Sequence, residues 1–445
     1  MPAVLCVDVG STWTKAALVD DADGTLLATA AHPTTLDPDV MVGVRAVASA
    51  VGAGDDVALL ACSSAGGGLR LAVVGYERQV TAEAGRRVGL SAGARVVHVA
   101  AGPLDRAGEA ALREVAPDVV LLVGGTDGGN AEVLRHNASR LAALRLPAPV
   151  VVAGNADAAA DAAAALARTR RRFVVTDNVV PRIGEIAPEP ARRAIRAVFL
   201  EHVIGGKGLS RDPAFARAVR AATPDAVLAG VEVLAAATGA DALVVDVGGA
   251  TTDVYSCLTP EGEDATLRKE VVAPLWHART VEADLGMRWN ADGVLEAAAR
   301  EQLPTSPGLE AWARPLPTDP GRLPADAAEQ ALDLEVARLA AVVAVRRHAR
   351  PASPGETPRP LADVGLVVGS GGVLRHADPA DADAVLAAVT ADHAGGWRVP
   401  AGARRTVDAS YVLFAAGLLA GPAPEAAAVL ARGLVPAPSG TGAAR

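Results

Sequence analysis

The sequence is poor in cysteine and in aromatic residues. Its 445 residues include 3 cysteines, and aromatic residues make up 3% of the chain. The cysteines (Cys6, Cys62 and Cys257) form no CxxC pair and show no zinc-type spacing, and an odd number fits the reduced thiols of the cytoplasm. The pattern therefore argues against a cysteine-bound zinc site and against an iron–sulfur cluster held by this chain alone.

The sequence also lacks a long apolar run and an excess of basic residues. No apolar run reaches the ~18 residues that a membrane-spanning helix needs. The chain opens directly with the strand-like segment AVLCVDVG, which is not typical of a secretory signal. Its formal net charge is −9 and no basic stripe is interleaved with aromatic residues, which argues against a nucleic-acid partner. We therefore predict a cytoplasmic protein with no membrane and no nucleic-acid partner.

Two near copies of one short motif stand about half a chain apart. Val244–Tyr255, VVDVGGATTDVY, is typical of an apolar strand that ends in an acid, a turn of small residues and a second strand. Cys6–Lys15, CVDVGSTWTK, follows the same plan. Alignment of the two copies matches Asp8 with Asp246, Gly10 with Gly248, Ser11 with Gly249, Thr14 with Thr252 and Lys15 with Asp253. The repeat predicts two related α/β domains that face each other across a nucleotide.

The residue types of this motif suit phosphate binding. Glycine permits positive φ and close approach of a phosphate to the main chain, and a tight turn aims several N–H groups at one anion. An acid at the strand end can hold a hydrated Mg²⁺ or orient a water. We expect phosphate oxygens to be bound by the small and hydroxyl residues of both turns: Gly10, Ser11, Thr12, Thr14, Gly248, Gly249, Thr251 and Thr252. Lys15 either neutralises phosphate charge or is a solvated strand lysine.

Strands and helices alternate from about residue 93 to 180, which predicts an inserted α/β subdomain with a doubly wound parallel sheet. Its glycine-rich segment Gly124–Asn130 lies where such sheets bind ligands. Asp127 and Asn130 there contact a partner, a second ligand or the nucleotide, or they simply form a turn. Ser63, Ser64 and Gly66–Gly68 form either another anion-binding turn or a flexible connection.

The remaining pattern is less regular. We predict helix over Asp212–Ala222, a strand at Ala265–Lys269, a long loop over Leu303–Pro324 and a disordered tail over 433–445. The segment Val364–Leu374, VGLVVGSGGVL, predicts a buried strand that breaks into a glycine turn and a helix. Glu232 either positions an attacking water or is a surface carboxylate, and Glu282 and Asp284 are expected to line the nucleotide cleft.

The order VDVGST, VVDVGGATTD, VVGSGGVL resembles the phosphate-1, phosphate-2 and adenosine motifs of the actin / Hsp70 / sugar-kinase ATPase superfamily. The resemblance implies an α/β fold with two actin-like (ribonuclease H-like) ATPase domains around a nucleotide cleft, at residues 1–240 and 241–432. It also implies that Asp8 and Asp246 flank Mg²⁺ and the γ-phosphate of ATP, with Asp253 as a third catalytic acid on the metal side. By the same resemblance, the adenosine lies against the glycines of the third motif: Gly369, Gly371 and Gly372.

A narrower resemblance covers nearly the whole chain. GGTDGGN at 124–130, DNVVP at 177–181, TPDAVL at 223–228, VDVGGATTDVYS at 245–256 and RTVEADLGMR at 279–288 are similar to the MutL family. That family is named for an accessory protein of adenosylcobalamin-dependent glutamate mutase. The resemblance implies an ATP-driven reactivating factor whose partner is such a mutase. Whether the chain forms a dimer or binds a small partner subunit stays open. Two alternatives stay open: a small-molecule kinase of the same fold, and a non-enzymatic nucleotide-binding scaffold.

Overall fold

The computed structural model describes residues 3–54, 56–65, 69–77, 80–92, 94–204, 209–259, 277–351 and 358–435. These form two compact units, which are described separately: residues 3–22, 26–228 and 277–278 make the first, and residues 23–25, 229–259 and 279–435 make the second. The predicted strand Ala265–Lys269, the glycines Gly66–Gly68 and all but the first residues of the tail lie outside the described residues.

Fifteen strands are described. They are β1 (Ala3–Val9), β2 (Trp13–Asp20), β3 (Leu26–Pro33), β4 (Ala58–Ser63), β5 (Arg70–Gly75), β6 (Arg95–Ala101), β7 (Val119–Leu122), β8 (Val150–Val152), β9 (Phe173–Val175), β10 (Val219–Ala222), β11 (Ala242–Val247), β12 (Thr252–Cys257), β13 (His277–Glu282), β14 (Leu366–Ser370) and β15 (Arg404–Val407).

Fifteen α-helices are described. They are α1 (Val40–Ala50), α2 (Thr81–Ser91), α3 (Arg106–Val115), α4 (Glu132–Ala143), α5 (Ala156–Arg168), α6 (Pro188–Val198), α7 (Pro213–Ala218), α8 (Thr223–Thr238), α9 (Ala291–Arg300), α10 (Leu309–Ala313), α11 (Ala327–Ala349), α12 (Gly372–His376), α13 (Pro379–Thr390), α14 (Leu413–Leu419) and α15 (Pro424–Arg432). A π-helix covers Phe199–Ile204, and 3-10 turns cover Leu316–Thr318 and Leu361–Asp363. No described helix combines the length and the hydrophobicity that a membrane crossing requires.

The two units contain five-stranded sheets of the same topology. In the first unit the order is β10-β4-β1-β2-β3, and in the second it is β13-β12-β11-β14-β15, which is the same order read from the other edge. Each sheet has a central strand with an antiparallel hairpin partner on one side and a parallel strand on the other. The central strands β1 and β11 are apolar and almost wholly buried, as expected for strands covered on both faces.

The register of the two hairpins confirms the sequence repeat. In the first hairpin Asp8 lies opposite Lys15 and Val9 opposite Thr14. In the second, Asp246 lies opposite Asp253 and Val247 opposite Thr252. Residues that the alignment matches, such as Asp8 with Asp246 and Lys15 with Asp253, therefore occupy equivalent places in the two hairpins. The predicted α/β fold with a duplicated sheet is therefore confirmed.

A third sheet belongs to the first unit and consists of parallel strands in the order β6-β5-β7-β8-β9. The predicted doubly wound arrangement is present, but the sheet starts earlier than residue 93. Strand β5 pairs with both β6 and β7, so the segment Arg70–Gly75 is an inner strand of the inserted sheet. Since the order reverses at β5, the crevice where such sheets bind ligands lies at the ends of β5 and β7.

Two predicted elements are wrong in part. The segment Asp212–Ala222 is helical only as far as Ala218, because Val219–Ala222 pairs in parallel with β4 and so becomes an edge strand. The predicted loop over Leu303–Pro324 contains helix α10, whose Trp312 is buried and donates from Nε1 to Asp333 Oδ1 at 3.2 Å. In both segments a tertiary contact overrides the local pattern.

His348 is fully buried in the second unit and makes two hydrogen-bond contacts there. Its Nδ1 lies 2.9 Å from Thr280 Oγ1 and its Nε2 lies 2.9 Å from Ser256 Oγ. Burial, with a contribution from the charge of Arg359, lowers the pKa of His348 well below its ordinary value of 6.5. The imidazole is therefore neutral in the folded chain and gains a proton only when the chain unfolds.

We expect His348 to make the fold less stable in mild acid. Below pH 6.5 the unfolded chain binds a proton at His348, but the folded chain does not, because its pKa there is depressed. Protonation therefore favours the unfolded state, and the free energy of unfolding falls as the pH drops below 6.5. For each pH unit below 6.5, the free energy of unfolding of the wild type should fall by up to about 1.4 kcal/mol more than that of His348→Asn, which has no imidazole to protonate. Urea unfolding at pH 7, 6 and 5 would measure this. Parallel pH profiles for the two proteins would contradict it.

Candidate functional site

The turn of the first hairpin is closed by a backbone bond and supported from behind by one threonine. Gly10 N donates to Trp13 O at 3.0 Å, and a Cβ on Gly10 would lie 2.6 Å from that same oxygen, so glycine is required there. Thr34 donates from Oγ1 to Gly10 O at 2.8 Å and from its amide to Thr12 O at 2.9 Å. In a trans peptide the C=O and N–H point in opposite directions. The amides of Ser11 and Trp13 therefore face away from Thr34, on the exposed side of the turn.

The turn of the second hairpin has the same closure. Gly248 N donates to Thr251 O at 2.9 Å, and a Cβ on Gly248 would lie 2.8 Å from that oxygen. The carbonyls of Gly248, Gly249 and Ala250 are all bonded to the segment that follows β13. Their donors are Met287 N (3.1 Å), Arg288 N and Trp289 N (both 2.9 Å), and Asn290 Nδ2 (2.9 Å).

This anchoring turns three consecutive amides outward. Because the carbonyls of Gly248, Gly249 and Ala250 point to the 287–290 segment, the N–H groups of the same peptide units point the opposite way. These are the amides of Gly249, Ala250 and Thr251, which have no acceptor in the described part of the chain and lie in an exposed or half-buried turn. Convergent backbone amides of this kind bind anions.

Sequence reasoning missed the segment that anchors the second turn. A Cβ on Gly286 would lie 2.3 Å from both the carbonyl carbon and the carbonyl oxygen of Ala250, so glycine is required at that position. Arg288 is held by two bonds of 2.8 Å to the buried Asp333, which fixes the segment behind the turn. The glycine was visible in TVEADLGM, but nothing in the local pattern shows which backbone it packs against.

The threonines of the two hairpins divide into two groups. Thr14 and Thr252 are fully buried: the Thr14 hydroxyl lies 3.1 Å from Thr34 Oγ1, and the Thr252 hydroxyl donates to Leu285 O at 2.6 Å. These two hydroxyls therefore brace the turns from behind and are not placed to donate to a phosphate, which corrects that part of the prediction. Thr12 is exposed and Thr251 is half-buried, so both remain candidates for phosphate contact.

Asp8 lies at the end of β1 with only 1% of its surface exposed. Thr223 Oγ1 donates to Asp8 Oδ1 at 2.5 Å, and Cys62 Sγ donates to the same oxygen at 3.6 Å. Burial raises the pKa of the Cys62 thiol well above its ordinary value, and the charge of Asp8 adds to that shift. The bond from Thr223 joins residues that are 215 positions apart in the chain, so no local pattern predicts it.

Asp246 is half-buried at the end of β11, between Asp253 on β12 and Ser370 on β14. Asp253 Oδ2 accepts a hydrogen bond from Arg279 Nη2 at 3.2 Å.

Glu282 and Asp284 are both bound by Arg347. Arg347 Nη1 lies 2.7 Å from Glu282 Oε2 and 2.6 Å from Asp284 Oδ1. Burial raises the pKa of Glu282, whereas the hydrogen bond from Arg347 lowers the pKa of Asp284.

The three glycines of the third motif have different surroundings. A Cβ on Gly369 would meet the side chains of Leu374 and Leu386, so this glycine makes room for helix packing and faces no ligand. Gly371 has φ of +98° and a Cβ there would lie 2.1 Å from Val247 O, so it allows close approach of two strands. Gly372 has open space around its Cβ position and begins α12. Of the three, Gly372 alone has no atom within 4 Å of its Cβ position.

The other candidates have these places. Lys15 is half-buried on β2 opposite Asp8, and Glu232 lies on α8.

Asp127 lies in the loop after β7 of the inserted sheet. Its Oδ1 accepts hydrogen bonds from Asn178 Nδ2 at 2.8 Å and from Ala156 N at 2.9 Å, so Asp127 connects the loops after β7, β8 and β9. Asn130 is exposed and its Oδ1 accepts weakly from Val133 N at 3.3 Å. Ser63 is buried and donates to Val9 O.

The residues fit a magnesium nucleotide better than a metal held by protein ligands alone. Among the described residues no group of three or more His, Cys, Asp or Glu side chains is arranged to hold a metal ion. Mg²⁺ characteristically uses one or two carboxylates and completes its shell with water and substrate phosphates. Each unit offers a carboxylate of that kind at the end of its central strand, the buried Asp8 in the first unit and the half-buried Asp246 in the second.

The profile of one protein family, described as MutL protein, matches residues 4–434. The chain is also 34% identical over 454 aligned positions to Protein MutL of Clostridium tetanomorphum, covering 96% of this chain and 98% of that protein. The chain belongs to the MutL family. The family membership predicted from the motifs is thereby confirmed, and it extends over both units of the MutL chain.

Solved structures resemble this MutL chain more distantly. The ATP-dependent caprolactamase of Pseudomonas jessenii is 14% identical with a TM-score of 0.39, over 93% of this chain and 70% of that one. Component A of the (R)-2-hydroxyglutaryl-CoA dehydratase of Acidaminococcus fermentans is 10% identical with a TM-score of 0.32, over 98% of this chain and 99% of that one. Likeness at this level carries no argument about activity.

Proposed function

We propose that this MutL-family protein binds Mg-ATP, hydrolyses it, and acts on an adenosylcobalamin-dependent mutase as a reactivating or accessory factor. The observation that carries the nucleotide part is the second hairpin turn. Three consecutive amides, those of Gly249, Ala250 and Thr251, are aimed outward because the carbonyls of the same peptide units are anchored elsewhere. The first hairpin repeats the closure of this turn, so the chain contains two phosphate-binding turns of one design.

In this proposal the turn amides, the exposed hydroxyls of Ser11 and Thr12, and the hydroxyl of the half-buried Thr251 bind phosphate oxygens. Such donors are fixed before the reaction, so they stabilise the charge that develops during phosphoryl transfer without reorganising. Asp8 and Asp246 would hold Mg²⁺ through its water ligands, and the ion would neutralise phosphate charge when bound. Asp246, the more accessible of the two, would accept a hydrogen bond from the attacking water and orient it.

The mutase part of the proposal comes from the family. The sequence resemblance implies that members act on the glutamate mutase type of enzyme, and hydrolysis would supply a cycle of domain motion directed at that partner. Nucleotide binding and phosphate release would mark the two ends of that cycle. A dimer or a small partner subunit fits this scheme equally well.

The proposal is tested by phosphate release from Mg-ATP, measured on the purified chain with and without a cobalamin-inactivated glutamate mutase. The expected result is hydrolysis that accompanies recovery of mutase activity. Phosphate transferred to a metabolite would instead identify a kinase of the same fold. ATP-dependent pelleting with slow hydrolysis would identify a scaffold. Absence of ATP binding would overturn the nucleotide role altogether.

A further inference from the structure

A buried arginine lies beside the second hairpin, and neither the hairpin motif nor the proposed function accounts for it. Arg279 is on β13 and only 6% of its surface is exposed. Its Nη2 donates to Asp253 Oδ2 at 3.2 Å, and its guanidinium carbon lies 5.6 Å from the ring centre of the buried Tyr255. A guanidinium in this environment needs a countercharge, and Asp253 supplies it.

The countercharge matters because of where Asp253 stands. Asp246 and Asp253 are directly opposite each other on adjacent antiparallel strands. Side chains in that relation lie about 5 Å apart at Cβ, and two like charges there destabilise each other. With Arg279 in place, the pair Asp246–Asp253 carries an internal cation, so one of its two charges is already balanced.

The orientation of Asp253 is also fixed. One carboxylate oxygen is committed to Arg279, and the other, Oδ1, is shielded from solvent and has no hydrogen-bond partner among the described residues. Asp253 and Asp246 are both half-buried, but the Asp253 oxygen that is not bonded to Arg279 is shielded from solvent. An acid that ligates a hydrated metal ion must present an oxygen to it, and a shielded Oδ1 is poorly placed to do so.

We propose that Arg279 is a positioning residue that neutralises and orients Asp253, so that Asp246 is the one carboxylate of the pair that acts on the nucleotide. This inference rests on the proposed ATP-binding function and assigns Asp253 a supporting role in place of the metal-side role predicted from sequence. The planar guanidinium suits this role, because it can bond the carboxylate and stack on Tyr255 at once, which an ammonium group does poorly.

The test compares Arg279→Gln, Asp253→Asn, the double variant and Arg279→Lys, by kcat and KM for Mg-ATP hydrolysis and by nucleotide affinity. Arg279→Gln removes the cation that balances Asp253 beside Asp246, so kcat/KM should fall about 10- to 100-fold. Asp253→Asn removes the carboxylate that accepts from Arg279, so the guanidinium can shift toward Asp246, and this variant should also be impaired. The double variant removes both charges and should recover to within about 3-fold of wild type, since deletion of a balanced pair is close to neutral. Arg279→Lys should fall between Arg279→Gln and wild type.

Each alternative gives a different result. If Asp253 is itself a metal ligand, Asp253→Asn and the double variant will be equally inactive. If the pair serves stability alone, all four variants will melt earlier but keep wild-type kcat/KM. Arg346→Gln is the matched control, because Arg346 is equally buried in the same unit and pairs with Asp392, away from the hairpin. Absence of nucleotide binding by the wild type would overturn the proposed function itself, and with it this role for Arg279.

Discussion

Replacement of Asp246 by asparagine is expected to lower the rate of ATP hydrolysis by about 10²- to 10⁴-fold, the usual contribution of a positioned acid–base group. Asparagine has nearly the shape of aspartate but cannot accept a proton or balance a metal charge. The outward-facing amides of Gly249, Ala250 and Thr251, which we propose bind phosphate, belong to the backbone, so the substitution leaves them in place. ATP should therefore still bind to Asp246→Asn, with hydrolysis lost.

The measurement is phosphate release under saturating Mg-ATP, together with nucleotide affinity by calorimetry. Asp381→Asn is the matched control, since Asp381 is an exposed acid of the same unit in the first turn of α13. It should keep wild-type turnover. Wild-type turnover in Asp246→Asn would remove this acid from the reaction and would require another carboxylate, with Asp8 as the first to examine.

Replacement of Gly286 by alanine is expected to abolish nucleotide binding, although the residue lies outside all three motifs. The added Cβ would lie 2.3 Å from the carbonyl carbon and oxygen of Ala250, which are backbone atoms and cannot move aside alone. Either the turn shifts and its amides lose their aim, or the 287–290 segment detaches from the turn carbonyls. Overpacking of this kind costs about 1–3 kcal/mol, and a shift of 1 Å in a site costs about 100-fold in rate.

The substitution is checked by ATP affinity and by the midpoint of urea unfolding. Gly402→Ala serves as its control, because a Cβ on Gly402 meets no atom within 4 Å. That variant should match the wild type in both measurements. Tight ATP binding by a stably folded Gly286→Ala would show that the second turn does not hold the phosphates.

The parts that the sequence could predict share one property, which is a dependence on local pattern. The two hairpins were visible because an apolar strand, an acid and a small-residue turn are contiguous in the chain. The observed register puts the residues that the alignment matches at equivalent places in the two hairpins. The glycine requirement at Gly10 and Gly248 also follows from the local turn. Family membership followed from five such contiguous segments.

The parts that the sequence could not predict depend on contacts between distant segments. Thr223 bonds Asp8 across more than two hundred residues, and Gly286 packs on Ala250 from another element. Val219–Ala222 has the composition of a helix end but becomes a strand, because the free edge of β4 supplies hydrogen bonds that a helix continuation would forgo.

The sequence by itself determined the duplicated α/β plan, the acids at the strand ends and the turns that follow them. Only the tertiary structure decided which groups face a ligand. It turned Thr14 and Thr252 inward, paired Asp253 with Arg279, and aimed three amides of the second turn outward. The physical reason is that a side chain or a peptide group is oriented by what bonds it from behind, and in this protein those partners come from segments far away in the chain.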